Sequence, residues 1–103
     1  MSLDVSRAEP HPHEARTRLE HARASRLAQL RALEETAHGS DDHLLSEQKN
    51  AMQRVLKEIE EAFTRVDDGT YGTCVGCAKP VPAERLEILP YTRHCVACQR
   101  RTA

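Results

Sequence analysis

Four cysteines carry most of the chemistry this chain can do. Cys74 and Cys77 form one C-x-x-C knuckle and Cys95 and Cys98 a second, with 17 residues between them. A tetrahedral zinc ion takes four thiolates, and two short knuckles joined by a segment of this length supply them with little loss of chain entropy. The spacing therefore predicts one bound metal. Zinc is the first choice, and iron fits the same four sulfurs. Four thiolates close the coordination shell and leave no position for water, so the predicted site is structural and not catalytic. Two other uses of the cysteines suit the chain less well. A disulfide framework belongs to secreted domains, whereas the opening MSLDVSRAEPHPHEARTR is charged and lacks the apolar segment of a signal peptide. A thioredoxin-like motif needs a βαβ context, which this sequence does not show. The expected location is a reducing cytoplasm.

The rest of the chain must hold those knuckles in place. With one Phe, two Tyr and no Trp in 103 residues, it has little material for a large core, and the metal becomes the expected staple. Residues 1–12 are polar, contain Pro10 and Pro12, and read as a flexible tail. From His13 onward Ala15, Leu19, Ala22, Leu27, Leu30, Leu33 and Ala37 fall on one side of a helical wheel. His38 to Asp42 interrupts that helix. Gly39 suits a left-handed C-terminal position, and Ser40, Asp41 or Asp42 suits an N-cap. Leu45, Gln48, Met52, Val55, Ile59, Ala62 and Val66 then recur at steps of three and four, a heptad seam widened by Leu56 and Phe63 and ended by Gly69. The predicted fold is mainly α: an antiparallel two-helix coiled-coil hairpin over 13–68, with its tip near 38–43, and a C-terminal four-cysteine zinc-finger module over 69–103. Each helix of about 25 residues is roughly 35–40 Å long. Within the module, Leu86, Ile88 and Leu89 are expected to form a small core with Val81. Ala83–Leu86 is expected to start a helical turn, and Cys95–Arg101 a brief helix. Ala78 follows the second cysteine, where positive φ is common, and is expected either to carry strain of about 1 kcal/mol or to adopt another turn.

The run GTYGTCVGCAKPVPAERLEILPYTRHCVACQ, Gly69 to Gln99, resembles the DksA/TraR zinc-finger family. The resemblance rests on Gly69, Tyr71, Gly72, Cys74, Cys77, Pro80, Arg85, Leu86, Pro90, Cys95 and Cys98, and the preceding coiled-coil helix agrees with it. It implies a bacterial transcription regulator that binds RNA polymerase by inserting its helical hairpin into the secondary channel. Acidic residues at the tip, here Asp41 and Asp42, would then act near the catalytic Mg²⁺. Arg85, Arg93, Arg100 and Arg101 are the candidate basic docking residues. The family's tip pattern, Asp-x-x-Asp-x-Ala, is not reproduced by Asp41-Asp42-His43-Leu44-Leu45-Ser46. Positions that are basic in the family's ppGpp site correspond to Glu58, Leu89 and Gln99, so ppGpp binding at that site is not expected. The family's glycine after the second cysteine is Ala78.

Charge and composition bound the alternatives. The formal net charge is −1, and four zinc-bound thiolates make it about two units more negative, so general attraction to nucleic acid or anionic lipid is not expected. From Lys79 to the C-terminus five cations face two carboxylates, which leaves a nucleic-acid-binding zinc finger as an alternative. Tyr91 is the one aromatic available there for base stacking, so direct DNA binding is not favoured. A zinc-thiolate redox sensor is a second alternative. No segment is long and apolar enough to span a membrane. The six histidines are scattered, and no catalytic order or phosphate-cradling loop stands out, so an enzyme is not expected.

Overall fold

A computed structural model describes residues 11–36 and 43–102. Four helices follow in order: α1, Pro12–Thr36; α2, His43–Asp68; α3, Ala83–Ile88; α4, Val96–Thr102. Among the described residues there is no strand, only an isolated bridge between Thr73 and Pro80. The molecule measures 61 × 30 × 21 Å, a rod with a compact foot. Asp41, Asp42 and Gly39, named above for the tip, and most of the predicted tail lie outside the described residues.

Local chemistry explains where the helices begin and end. Pro12 opens α1 because its fixed φ suits the first helical turn and its missing N–H would have had no partner there. The helix thus starts one residue earlier than its apolar pattern suggested. α2 ends at Gly69, whose φ of +81° is the left-handed conformation that stops a helix. The amides of Thr70 and Tyr71 then turn back to the Arg65 carbonyl at 2.9 and 3.1 Å.

The two long helices pack against each other, but not evenly. Ala15 and Leu19 of α1 and Ile59, Ala62 and Val66 of α2 form one buried cluster, all at the foot. Farther out, Leu30, Leu33, Met52 and Val55 are half-buried, and Gln48 is exposed. Leu27, expected on the buried stripe, is 40% exposed. The cause is geometric. Two helices alone cover only one narrow seam, whereas at the foot Tyr71 and Tyr91 of the module pack on the same cluster and close it. Ion pairs Arg16–Asp67 and Arg23–Glu60 join the helices along their exposed flank. Exposed pairs of this kind contribute about 0.2–1 kcal/mol each, so the apolar foot dominates. Arg23 also sits 4.5 Å from the Phe63 ring centroid, a cation–π contact across the hairpin.

The module has its own small core of Cys74, Val81, Leu86 and Cys98. Leu86 is 1% exposed, but Ile88, expected beside it, is 77% exposed. In α3 two residues correspond to about 200° of rotation, so a helix that turns Leu86 inward turns Ile88 to solvent. Among the described residues no helix is long and apolar enough to cross a membrane. Leu19→Ala is expected to cost about 2–4 kcal/mol in urea unfolding followed by circular dichroism, against less than about 1 kcal/mol for Leu27→Ala.

Candidate metal centre

Each knuckle is shaped by its backbone. In the first, the Cys74 amide donates to the Lys79 carbonyl and the Ala78 amide to the Cys74 carbonyl, both at 2.8 Å, which folds Cys74–Lys79 into a tight loop. Ala78 closes it at a φ of +65°, the one non-glycine residue with positive φ among the described residues. The strain expected of Ala78 from sequence is thus placed at a specific turn. Gly76 has no need of positive φ; it is there for space. A Cβ on it would lie 3.0 Å from the Cys98 sulfur and 3.3 Å from the Cys98 Cβ. The second knuckle opens α4, with the Gln99 amide donating to the Cys95 carbonyl at 2.9 Å.

The two knuckles meet sulfur to sulfur. The four Sγ atoms of Cys74, Cys77, Cys95 and Cys98 lie within 4.8 Å of one another, and Cys77 and Cys95 are 3.9 Å apart. Thiolates at about 2.3 Å from one zinc ion stand about 3.8 Å apart at the corners of a tetrahedron, so the cluster has the size such an ion requires. The knuckles also interlock through hydrogen bonds. The Cys74 sulfur accepts the amides of Gly76 and, from the other knuckle, Cys95, each at 3.3 Å. The Val75 amide donates to the Arg93 carbonyl at 2.8 Å.

The electrostatics point the same way. The Cys95 amide, opposed by burial and aided by the Cys77 and Gly76 amides, holds the Cys74 thiol down at about 6. The Arg101 guanidinium draws Cys98 down too, but Cys74, burial and the other two sulfurs together push it up to about 11. One sulfur thus favours the thiolate while its neighbour is driven to stay protonated. Four such groups hold four negative charges together only around a cation, so the residues fit a resident metal ion.

The foot joins this cluster to both long helices. Tyr71 packs on the hairpin core and on the cysteine core, and its hydroxyl donates to the Pro90 carbonyl at 2.7 Å. Burial pushes its phenol up, so it stays a neutral donor. Arg65 of α2 reaches the carbonyls of Tyr91 and Thr92 at 3.4 and 3.5 Å, and Arg26 of α1 reaches the Tyr91 hydroxyl at 3.4 Å. Burial and then the neighbouring Arg93 lower the Arg65 guanidinium. Sequence reasoning missed Arg65 and treated Tyr91 only as a stacking candidate. The signal available was that both tyrosines flank the cysteine pairs.

Of the four basic candidates, three engage groups inside the molecule. Arg85 Nε donates to the His94 carbonyl at 3.1 Å, Arg93 pairs with Glu61 at 3.1 Å, and Arg101 donates to the Cys98 sulfur at 3.2 Å. Arg100 is exposed on α4. Glu58, Leu89 and Gln99, far apart in sequence, line one cleft together with Arg85 and Arg93.

The sequence model of the prokaryotic dksA/traR C4-type zinc finger matches residues 69–102. The chain carries a zinc finger of the DksA/TraR type. The DksA/TraR finger begins at the glycine that ends α2 and includes all four clustered cysteines. An uncharacterized protein of Aquifex aeolicus is 37% identical over 57 residues, 55% of this chain and 39% of the relative. The RNA polymerase-binding transcription factor DksA of Caulobacter vibrioides is 32% identical over 53 residues, 52% of this chain and 37% of the relative. The matches thus span less than two-fifths of the length of these curated relatives. Among solved structures, the RNA polymerase binding protein and transcriptional regulator Dks of Chlamydia trachomatis aligns with a TM-score of 0.48 and 18% identity, covering 80% of this chain and 87% of that one.

Ala78→Gly is expected to stabilise the DksA/TraR finger by about 0.5–1 kcal/mol, because glycine relieves the Cβ clash at positive φ and gives back part of that gain as chain entropy. Differential scanning calorimetry checks this as a rise in Tm.

Proposed function

We propose that Cys74, Cys77, Cys95 and Cys98 hold one structural zinc, and that the protein is a transcription regulator of the DksA/TraR type that binds RNA polymerase. One observation carries the reading: a finger of this family forms the foot of a long helical hairpin and is tied to both its helices. The polymerase-binding name of the Caulobacter relative supports the choice of partner. Zinc would supply positive charge and a fixed tetrahedral frame to the four sulfurs, and the protein's part is to orient them. The rod is the element suited to a narrow cavity, and the proposal takes that cavity to be the secondary channel. Asp41 and Asp42 are the proposed tip contact. Arg85, Arg93, Arg100 and Arg101 are the proposed docking cations at the foot, and Arg100 is the best placed for an outside partner because the other three already engage internal groups. In the cleft at the foot, Glu58 opposes a polyphosphate such as ppGpp, Leu89 and Gln99 add no charge, and the two arginines there, Arg85 and Arg93, already engage the His94 carbonyl and Glu61.

Zinc-loaded protein is expected to be retained on immobilised core RNA polymerase at physiological salt, and to be displaced by another secondary-channel factor. Absence of retention would overturn the regulator reading. Cys74→Ser is expected to lose zinc in native mass spectrometry and to lower the Tm at the same time, because metal affinity and folding are linked at such a site. Gly76→Ala is expected to weaken zinc affinity roughly tenfold in competition with a chelator, since the added methyl displaces the Cys98 sulfur.

A further inference from the structure

We propose that Arg101 is a positioning residue for the metal centre, acting on the Cys98 sulfur from outside the ligand set. The inference rests on the zinc reading given above. Its geometry does not: Arg101 Nη2 donates to Cys98 Sγ at 3.2 Å, and Arg101 lies one helical turn after that cysteine in α4. Residues three apart in a helix share a face, so α4 brings the guanidinium to the sulfur by its own periodicity.

The cluster's donors are unequally shared. Backbone amides serve two of the sulfurs: Gly76 and Cys95 bond Cys74 at 3.3 Å each, aided by Cys77, and the Cys98 amide acts on Cys95. Among the described residues Arg101 is the one cationic side chain bonded to any of the four sulfurs. Cys98 is 4% exposed while Arg101 is exposed, so the guanidinium spans from solvent to a buried ligand atom. The same sulfur also lies close to Gly76, where a Cβ would stand 3.0 Å from it. Cys98 Sγ therefore has both the backbone of the first knuckle and the guanidinium of Arg101 as close neighbours.

The chemical consequence follows from charge. Four thiolates and one Zn²⁺ leave a net charge of about −2 on the centre. A hydrogen bond from a cation draws electron density from the sulfur, making it a poorer base and a poorer nucleophile without removing it from the metal. Zinc leaves such a site when a ligand sulfur is protonated or captured. Arg101 slows that step at Cys98. The planar guanidinium holds a fixed direction that a lysine ammonium does not.

The test measures zinc transfer from the full-length protein to an excess of chromophoric chelator. Arg101→Gln is expected to release zinc about tenfold faster than the parent, the lower end of the usual effect of removing an outer partner. Arg101→Lys restores part of the difference. Arg100→Gln, the same change of charge one residue earlier, stays within about twofold of the parent, where general electrostatic effects on a metal centre are small. With cobalt in place of zinc, the thiolate-to-metal absorption band of Arg101→Gln moves to longer wavelength, a change that weakening of the last helical turn alone does not produce. A zinc-loaded parent whose release rate and cobalt band are indifferent to Arg101→Gln, or equally altered by Arg100→Gln, overturns this inference and leaves the zinc reading intact. A parent without zinc in native mass spectrometry overturns both.

Discussion

The organising constraint is the crowding of four sulfurs into one small volume. Thiols placed within 4.8 Å of each other cannot all ionise unaided, and the opposite displacements of Cys74 and Cys98 show the conflict. Backbone amides and one guanidinium offset part of the charge, and a divalent cation would offset much of the rest. The local backbone is bent to this purpose. Gly76 leaves room for a neighbouring sulfur, and Ala78 tolerates positive φ to close the first loop. A module whose apolar core is only Val81, Leu86 and two of the cysteines themselves has little else to hold it.

That constraint reaches the hairpin through a few side chains between the knuckles. Pro90 to Arg93 sits in the segment linking the cysteine pairs, and its carbonyls, hydroxyl and guanidinium engage Tyr71, Arg65, Arg26 and Glu61. Tyr71 belongs to both apolar clusters, so the two are one continuous structure at the foot. The direction in which the rod leaves the finger is therefore set by hydrogen-bonded geometry and not by the single turn at Gly69. A partner that grips the finger would also aim the rod.

Much of this was legible from residue types and spacing, because the deciding interactions there are local. The cysteine pairs, the heptad on α2, the stop at Gly69 and the unusual turn at Ala78 all follow from chemistry within a few residues. The differences lie in how much a partner helix covers, in which way a side chain faces within a short helix, and in contacts between residues distant in sequence. Leu27 was assigned to the buried stripe because a wheel drawn for one helix cannot show that the partner covers only a narrow seam. Ile88 was assigned to the small core because its apolar character outweighed the half-turn separating it from Leu86. Arg101 is expected as a docking cation; the helix expected over Cys95–Arg101 puts it on the face of Cys98, but helical spacing does not say that its guanidinium bonds the sulfur. The clasp of Arg65 and Tyr91 joins residues 26 apart and has no sequence periodicity to announce it.

The uneven burial along the rod has a mechanical meaning. Among the described residues, fully covered side chains occur only at the anchored end, and the outer turns of α1 and α2 lean on half-covered contacts. Local opening there breaks few apolar contacts, while opening at the anchor breaks the whole cooperative unit. Such a gradient makes a rod whose stem resists torque while its outer turns bend at little cost. Conforming to a confined space would then cost little global stability, and the elastic compliance of the outer turns becomes a property on which selection can act apart from the fold.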